Sequence, residues 1–153
     1  MDFRPIKNAY PRRYPVKASE VIAVGDPVCL DASAKTVVKW GNTETKDALG
    51  VAASATASGG ASAGDYIDVY DDPDCVFIAT ADADVAQTNV GVACDVIGSS
   101  GDNFKVDIGT TTTAQFLVMR MLTTDKPLDT SDWQWGSARR VVGKFVKHVH
   151  ANY

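Results

Sequence analysis

The stretch "VGVACDVIGSSGDNFKVDIG" (Val90–Gly109) holds two alternating runs around a turn. Val90, Val92, Cys94 and Val96 share one phase of the first run. Phe104, Val106 and Ile108 share one phase of the second, with Lys105 and Asp107 on the other. A period of two is the repeat of a strand with one face buried and one face wet. Between the runs, "GSSGDN" is made of residues that close turns. The spacing predicts a β-hairpin.

The same reading extends in both directions. "DYIDVY" (Asp65–Tyr70) alternates cleanly, with Ile67 and Val69 on one face and Tyr66, Asp68 and Tyr70 on the other. "VIAVGDPVCL" (Val21–Leu30), "TVVKW" (Thr36–Trp40), "CVFIAT" (Cys75–Thr80) and "AQFLVMRM" (Ala114–Met121) are further strand candidates. Pro27 lacks an N–H, which points to an edge strand or a bulge. "DADVAQ" (Asp82–Gln87) is compatible with one helical turn capped by Asp82. "RRVVGKFVKHV" (Arg139–Val149) carries a helical stripe, but its β-branched residues and Gly143 disfavour a helix, and we assign a strand. Many short strands with turn signals between them predict an all-β fold with little helix, a small β-barrel or β-sandwich of β-tulip or SH3-like type.

Residues 1–18 read differently. The first 15 contain Pro5, Pro11 and Pro15 together with Phe3, Tyr10 and Tyr14. Proline spacing excludes a long helix and favours extended backbone. We read residues 1–18 as an extended basic and aromatic arm and residues 19–153 as one β-rich domain. The arm either wraps its own domain or grips another chain.

Charge is segregated. The chain has 153 residues and a formal charge of -4. Residues 1–18 hold five basic side chains and one acid, residues 139–153 hold four basic and no acid, and the middle holds six basic and 18 acidic. An acidic body with basic ends suits a protein that lays its ends on a negative partner surface. The residues of the ends that could make such a contact are Phe3, Arg4, Tyr10, Arg12, Arg13, Tyr14, Arg139 and Arg140, since Tyr and Arg dominate interface hot spots. No nucleic-acid module is recognisable, so no direct nucleic-acid contact is expected. No apolar run approaches the roughly 20 residues that span a bilayer, and the N-terminus lacks the apolar core of a secretory signal. The reading is a protein made in the cytoplasm.

Chemistry-bearing motifs are few. "GGASAGDY" (Gly59–Tyr66) has neither the lysine nor the following helix of a phosphate loop. The aspartates at 71, 72 and 74 resemble part of a calcium loop. Counted from Asp72, however, the sixth and twelfth positions are Phe77 and Ala83, not Gly and Glu. "DDPD" is better read as a surface turn whose aspartates bond nearby backbone N–H groups. Cys29, Cys75 and Cys94 are odd in number and form no CxxC, and we assign them as buried thiols. His148 and His150 would share a face in a strand, but two ligands do not close a zinc site. Trp133 and Trp135 would also share a face, either for sugar stacking or for aromatic packing. No nucleophile–base–orienter set can be assembled. No catalytic residue, metal or cofactor is expected, and the protein is read as not an enzyme.

The run from Gly50 through Ile97 is similar to small structural proteins of tailed bacteriophages, among them capsid decoration (cement) proteins. The resemblance rests on a GVA strand (Gly50–Ala52), a small-residue loop (Ala55–Ala63), a Gly64–Asp65 turn and a strand ending in VYDDP (Val69–Pro73). A VF strand (Val76–Phe77), an acidic segment (Asp82–Asp84) and a VG strand (Val90–Gly91) follow. "TTAQFLVMRML" and "VVGKFVKHVH" resemble the later strands of these proteins. The likeness spans residues 19–153, and VYDDP is its most specific part. It implies a β-barrel-like, non-enzymatic virion protein on the outer surface of the head. Such a protein would bridge subunits of the major capsid protein and self-associate as a trimer or dimer. The alternative is a carbohydrate-binding or receptor-adhesion module of a head or tail fibre, using Trp133 and Trp135. A small hydrolase with an unrecognised site ranks last.

Overall fold

The computed structural model describes residues 2–41, 44–99, 102–122 and 138–150. Eleven strands run through them: β1 (Phe3–Lys7), β2 (Pro11–Pro15), β3 (Pro27–Leu30), β4 (Val37–Lys39), β5 (Ala48–Ala52), β6 (Tyr66–Tyr70), β7 (Val76–Val85), β8 (Ala93–Ser99), β9 (Asp102–Asp107), β10 (Phe116–Leu122) and β11 (Ala138–Phe145). The fold is all-β and contains a closed five-stranded barrel. The predicted hairpin is β8–β9, antiparallel with Val96 opposite Val106. The segment assigned to the strand from Arg139 is β11, which pairs with both β10 and β7.

The barrel ring is β7-β11-β10-β8-β9, closed by a parallel contact between Ala81 of β7 and Val106 of β9. Strand β7 is ten residues long because it serves three neighbours. Its one edge pairs with β11, while β1 takes Val76–Ala79 and β9 meets Ala81. The interior is filled by side chains of one phase: Phe77, Ala79 and Ala81 from β7, Cys94 and Val96 from β8, Phe104 and Val106 from β9, and Phe116 and Val118 from β10. Phe3 inserts among Phe77, Phe116 and Phe145 with ring centroids 6.4, 5.4 and 5.5 Å away. These tilted and edge-on arrangements are the ones that aromatic quadrupoles favour.

The second sheet, β2-β6-β5-β3-β4, is antiparallel throughout. It curls until Lys17 N–H, just past β2, donates to the Val37 carbonyl of β4 at 3.0 Å. Its inner face encloses Val16, Ile22, Val28, Val37, Leu49, Ile67 and Val69. The outer face of β3, β4 and β5 adds Cys29, Val38, Ala48 and Val51 to the barrel cluster. The two sheets therefore share the barrel cluster, while the inner face of the second sheet keeps a cluster of its own. Trp40 reaches across, with its ring 5.9 Å from Phe145 and its Nε1–H donating to the Val96 carbonyl at 3.1 Å. Gln115 is fully buried; its Nε2 donates to the Glu44 carbonyl and its Oε1 accepts from Val96 N–H.

Residues 3–7 and 11–15 are built into the two sheets, β1 beside β7 at the edge of the six-stranded sheet and β2 along the second sheet. Val16 N–H bonds the Asp65 carbonyl at 3.0 Å and the neighbouring Lys17 N–H bonds outward, so even-numbered residues of β2 face β6. The outward positions are Pro11, Arg13 and Pro15, and two of these three have no N–H to offer. Prolines at such positions keep a strand edge from pairing with another chain.

One local expectation needs correction, and the choice left open for Pro27, edge strand or bulge, is decided for the second. Strand β7 continues through Asp82–Val85, and a 3-10 turn lies later, at Gln87–Asn89, where Asn89 Oδ1 rather than Asp82 accepts the Ala86 N–H. Strand β3 is not an edge strand, since it lies between β5 and β4. Pro27 is accommodated as its first residue, next to a register slip between Val28 and Cys29.

Candidate functional site: the Asp71 turn and the chain ends

The "DDPD" stretch is a turn, as its chemistry suggests. Asp72 Oδ1 accepts from Asp74 N–H at 2.8 Å, and the Asp72 carbonyl accepts from Cys75 N–H at 2.9 Å. Asp71 departs from the surface-turn reading. It sits just past β6 with its side chain 1% exposed. Burying a carboxylate is costly unless it is paired and hydrogen-bonded. Here the Tyr14 hydroxyl donates to Oδ2, Arg12 Nε lies 3.6 Å from Oδ1, and His150 Nε2 lies 3.6 Å from Oδ2. Tyr14 Oη is also 3.2 Å from His150 Nε2. With the tyrosine proton directed at Asp71, the histidine is the donor in that contact. Burial, then the hydrogen bond and charge of Asp71, push the Tyr14 hydroxyl well above its ordinary pKa.

His148 completes the cluster. It is 3% exposed, its ring lies 5.6 Å from that of His150, and its Nδ1 accepts the His150 N–H at 3.0 Å. An accepting Nδ1 requires the neutral ring to carry its proton on Nε2. That nitrogen has no hydrogen-bond partner among the described residues, and neither has Asp71 Oδ1. Because Nε2 is protonated in this tautomer, it has no lone pair for a metal. Among the described residues, no group of three or more His, Cys, Asp or Glu is arranged to hold a metal ion. Burial, followed by the charge of His150, lowers the His148 pKa to about 4.

The residues expected at a partner surface separate into two sets. Phe3 is fully buried in the barrel, and Tyr14 is half-buried in the Asp71 cluster. Their aromatic rings hold the fold together. Arg4, Tyr10, Arg12 and Arg13 are exposed, Tyr10 to 73%. Arg140 is half-buried on β11, and the side chain of Arg139 lies outside the described set. Trp133 and Trp135 also lie outside the described residues. The structure adds Tyr66, 62% exposed and opposite Pro15, which alternation had marked only as a polar-face residue.

Basic ends and acidic middle meet inside this one chain. Arg13 pairs with Asp68 at 3.2 Å, Lys17 with Asp31 at 3.1 Å and Lys144 with Asp74 at 2.9 Å, alongside Arg12 with Asp71. Asp31 is held well below the ordinary carboxylate range by the Ala34 N–H, then by the Ser33 side chain and Lys17. Asp74 is likewise lowered, chiefly by Lys144. The exposed pairs of Arg13, Lys17 and Lys144 add little stability each, but with the buried Asp71 contact they place the ends along the body.

Other chemistry-bearing groups serve structure. Cys29, Cys75 and Cys94 are buried and free. Burial pushes the thiols of Cys29 and Cys75 up to about 12, so neither is a thiolate at neutral pH. A cleft of about 330 Å³ is lined by Glu44, Asp95, Asp107 and threonines including Thr113. Asp95 Oδ1 is already engaged there, accepting from Thr113 and Ala114 N–H at 2.8 Å each. Burial raises the Asp107 pKa, with the charges of Asp82 and Asp95 adding to it.

Comparison with protein-family models, with curated proteins and with solved structures finds no match to this chain. What can be stated of its class is the fold: a small all-β protein whose closed barrel shares a core with a second, curled sheet.

Proposed function

We propose that the protein is a non-enzymatic structural protein of a bacteriophage virion. In this reading it is a capsid decoration protein on the outer surface of the head, bridging subunits of the major capsid protein, with self-association as a trimer or dimer. The observation that carries this reading is the ordered series of motifs from Gly50 to Gly91, with VYDDP at its centre. Two features of the molecule support it. The first and last described segments are tied into the strand network, one by β1 and β2 and the other by β11 and the Asp71 cluster. A protein that carries load between subunits gains from such closure, because tension on either end is resisted by a hydrogen-bond ladder. The second feature is the exposed surface around β2 and β6, where Arg13 and Tyr66 share the outward face and Tyr10 and Arg12 are exposed beside it, residue types that anchor interfaces. These four and Arg4 are the proposed capsid contacts.

The test is co-sedimentation with phage heads that lack the protein, set against binding to unassembled major capsid protein. Selective binding to heads, weakened by the pair Tyr10→Ala and Arg13→Ala, is expected. Equal binding to both, or to neither, overturns the proposal.

A further inference from the structure

We infer that His148 is the acid-labile pin of a latch that fastens the C-terminal segment to the second sheet, so that acidification opens the Ala48–His148 bridge before the barrel itself unfolds. The inference does not depend on the virion reading.

The latch is defined by backbone and side chain together. Just past β11, the Lys147 carbonyl accepts from Ala48 N–H and Val149 N–H donates to the Ala48 carbonyl, both at 2.9 Å. These two bonds form a parallel bridge between the tail and β5, and thus between the two sheets. The His148 side chain is buried beneath the bridge, and its Nδ1 is the acceptor for His150 N–H. That bond orients His150 toward Tyr14 and Asp71.

Protonation attacks this arrangement at one atom. A proton on Nδ1 would face the His150 N–H donor directly, so the bond must break. The resulting cation would be buried, and its Nε2 makes no well-formed hydrogen bond among the described residues. The groups around it do not compensate. From the turn, Asp71 and Asp72 favour the cation. Asp71 is already engaged by Arg12 and Tyr14 of β2 and by His150. From the tail, His150 opposes the cation, while the Leu49 carbonyl on β5 favours it as a hydrogen-bond acceptor, and these favourable effects are outweighed by burial. Burial is the largest effect, and it holds the ring neutral down to about pH 4, against an ordinary value of 6.5.

The native latch therefore binds fewer protons than the open one. Its closure is complete above pH 6.5, weakens as pH falls, and reaches its floor below about pH 4. The opening constant rises by up to about tenfold per pH unit across that window, on the order of 10²-fold in all.

Hydrogen exchange of the Ala48 and Val149 amides between pH 7 and 3.5, corrected for intrinsic rates, tests this. Loss of protection there, while the β10–β11 ladder stays protected, is expected. In His148→Asn the amide oxygen can still accept the His150 N–H but cannot titrate, so the pH dependence should vanish. Unchanged protection of both amides to pH 4 in the native chain overturns the inference, as does the same pH dependence in His148→Asn. If that variant does not fold, the NMR titration of the His148 ring in the native chain decides. A midpoint at or above 6.5 overturns the inference, and one well below supports it.

Discussion

Gly143 offers a quantitative test of how tightly the barrel is packed. It lies in the middle of β11, opposite Val118 on one side and Phe77 on the other. A Cβ built there would lie 2.1 Å from the Leu117 carbonyl oxygen and 2.5 Å from the Phe116 ring. Neither can retreat cheaply. The carbonyl is ladder backbone, and the Phe116 ring packs edge-on against Phe145 at 5.2 Å and Phe3 at 5.4 Å. Overpacking of a dense core costs about 1–3 kcal/mol. A disturbed ladder bond adds roughly 1 kcal/mol. Gly143→Ala should therefore destabilise by about 3 kcal/mol, which for a chain of this length lowers Tm by roughly 6–12 °C.

Two other glycines separate room from backbone conformation. Gly64 has open space around its would-be Cβ but a φ of +88°, so Gly64→Ala should cost only about 1 kcal/mol. Gly59 has open space and no such φ, and Gly59→Ala should stay within about 0.5 kcal/mol of the parent. Urea denaturation followed by tryptophan fluorescence measures all three. The packing argument is refuted if Gly143→Ala unfolds at the same midpoint as Gly59→Ala. If Gly64→Ala matches Gly143→Ala, backbone conformation and not crowding is the dominant cost.

Three further expectations follow from the same geometry. Trp40→Phe removes the donor to the Val96 carbonyl and part of the contact with Phe145, and should cost about 1–3 kcal/mol by chemical denaturation; a neutral result would show that Trp40 does not join the sheets. Replacing Pro11 and Pro15 with Thr gives the outward edge of β2 two new N–H donors. Concentration-dependent association in light scattering is expected, and a variant that stays as dispersed as the parent argues against the edge-guard role. Native protein should react slowly with a thiol reagent at pH 8 and expose three thiols on denaturation; rapid labelling of Cys29 or Cys75 in the native state contradicts their burial.

How much was legible in the sequence depended on the range of the interaction. The strands β6, β8 and β9 were readable because one face of each is buried, which writes a period of two into Ile67 and Val69, Cys94 and Val96, and Phe104 and Val106. The turn at Asp72–Asp74 was readable because its bonds are local. Asp71 was not, because its partners Tyr14 and His150 are 57 and 79 positions away and no local pattern connects them. Phe3 was misjudged for the same reason. A lone aromatic beside prolines and arginines looks like an interface residue until β7, β10 and β11 surround it.

The amino-acid sequence by itself determined the all-β class, the faces of the amphipathic strands, the turns and the segregation of charge. Each follows from a preference expressed within a few residues. Tertiary structure alone decided that the basic ends pair with the acidic middle, that Phe3–Lys7 and Pro11–Pro15 are strands of two different sheets, and that Asp71 joins β2 to the segment after β11. Those outcomes depend on burial and Coulomb attraction between residues far apart in the chain, which act only once the sheets have closed.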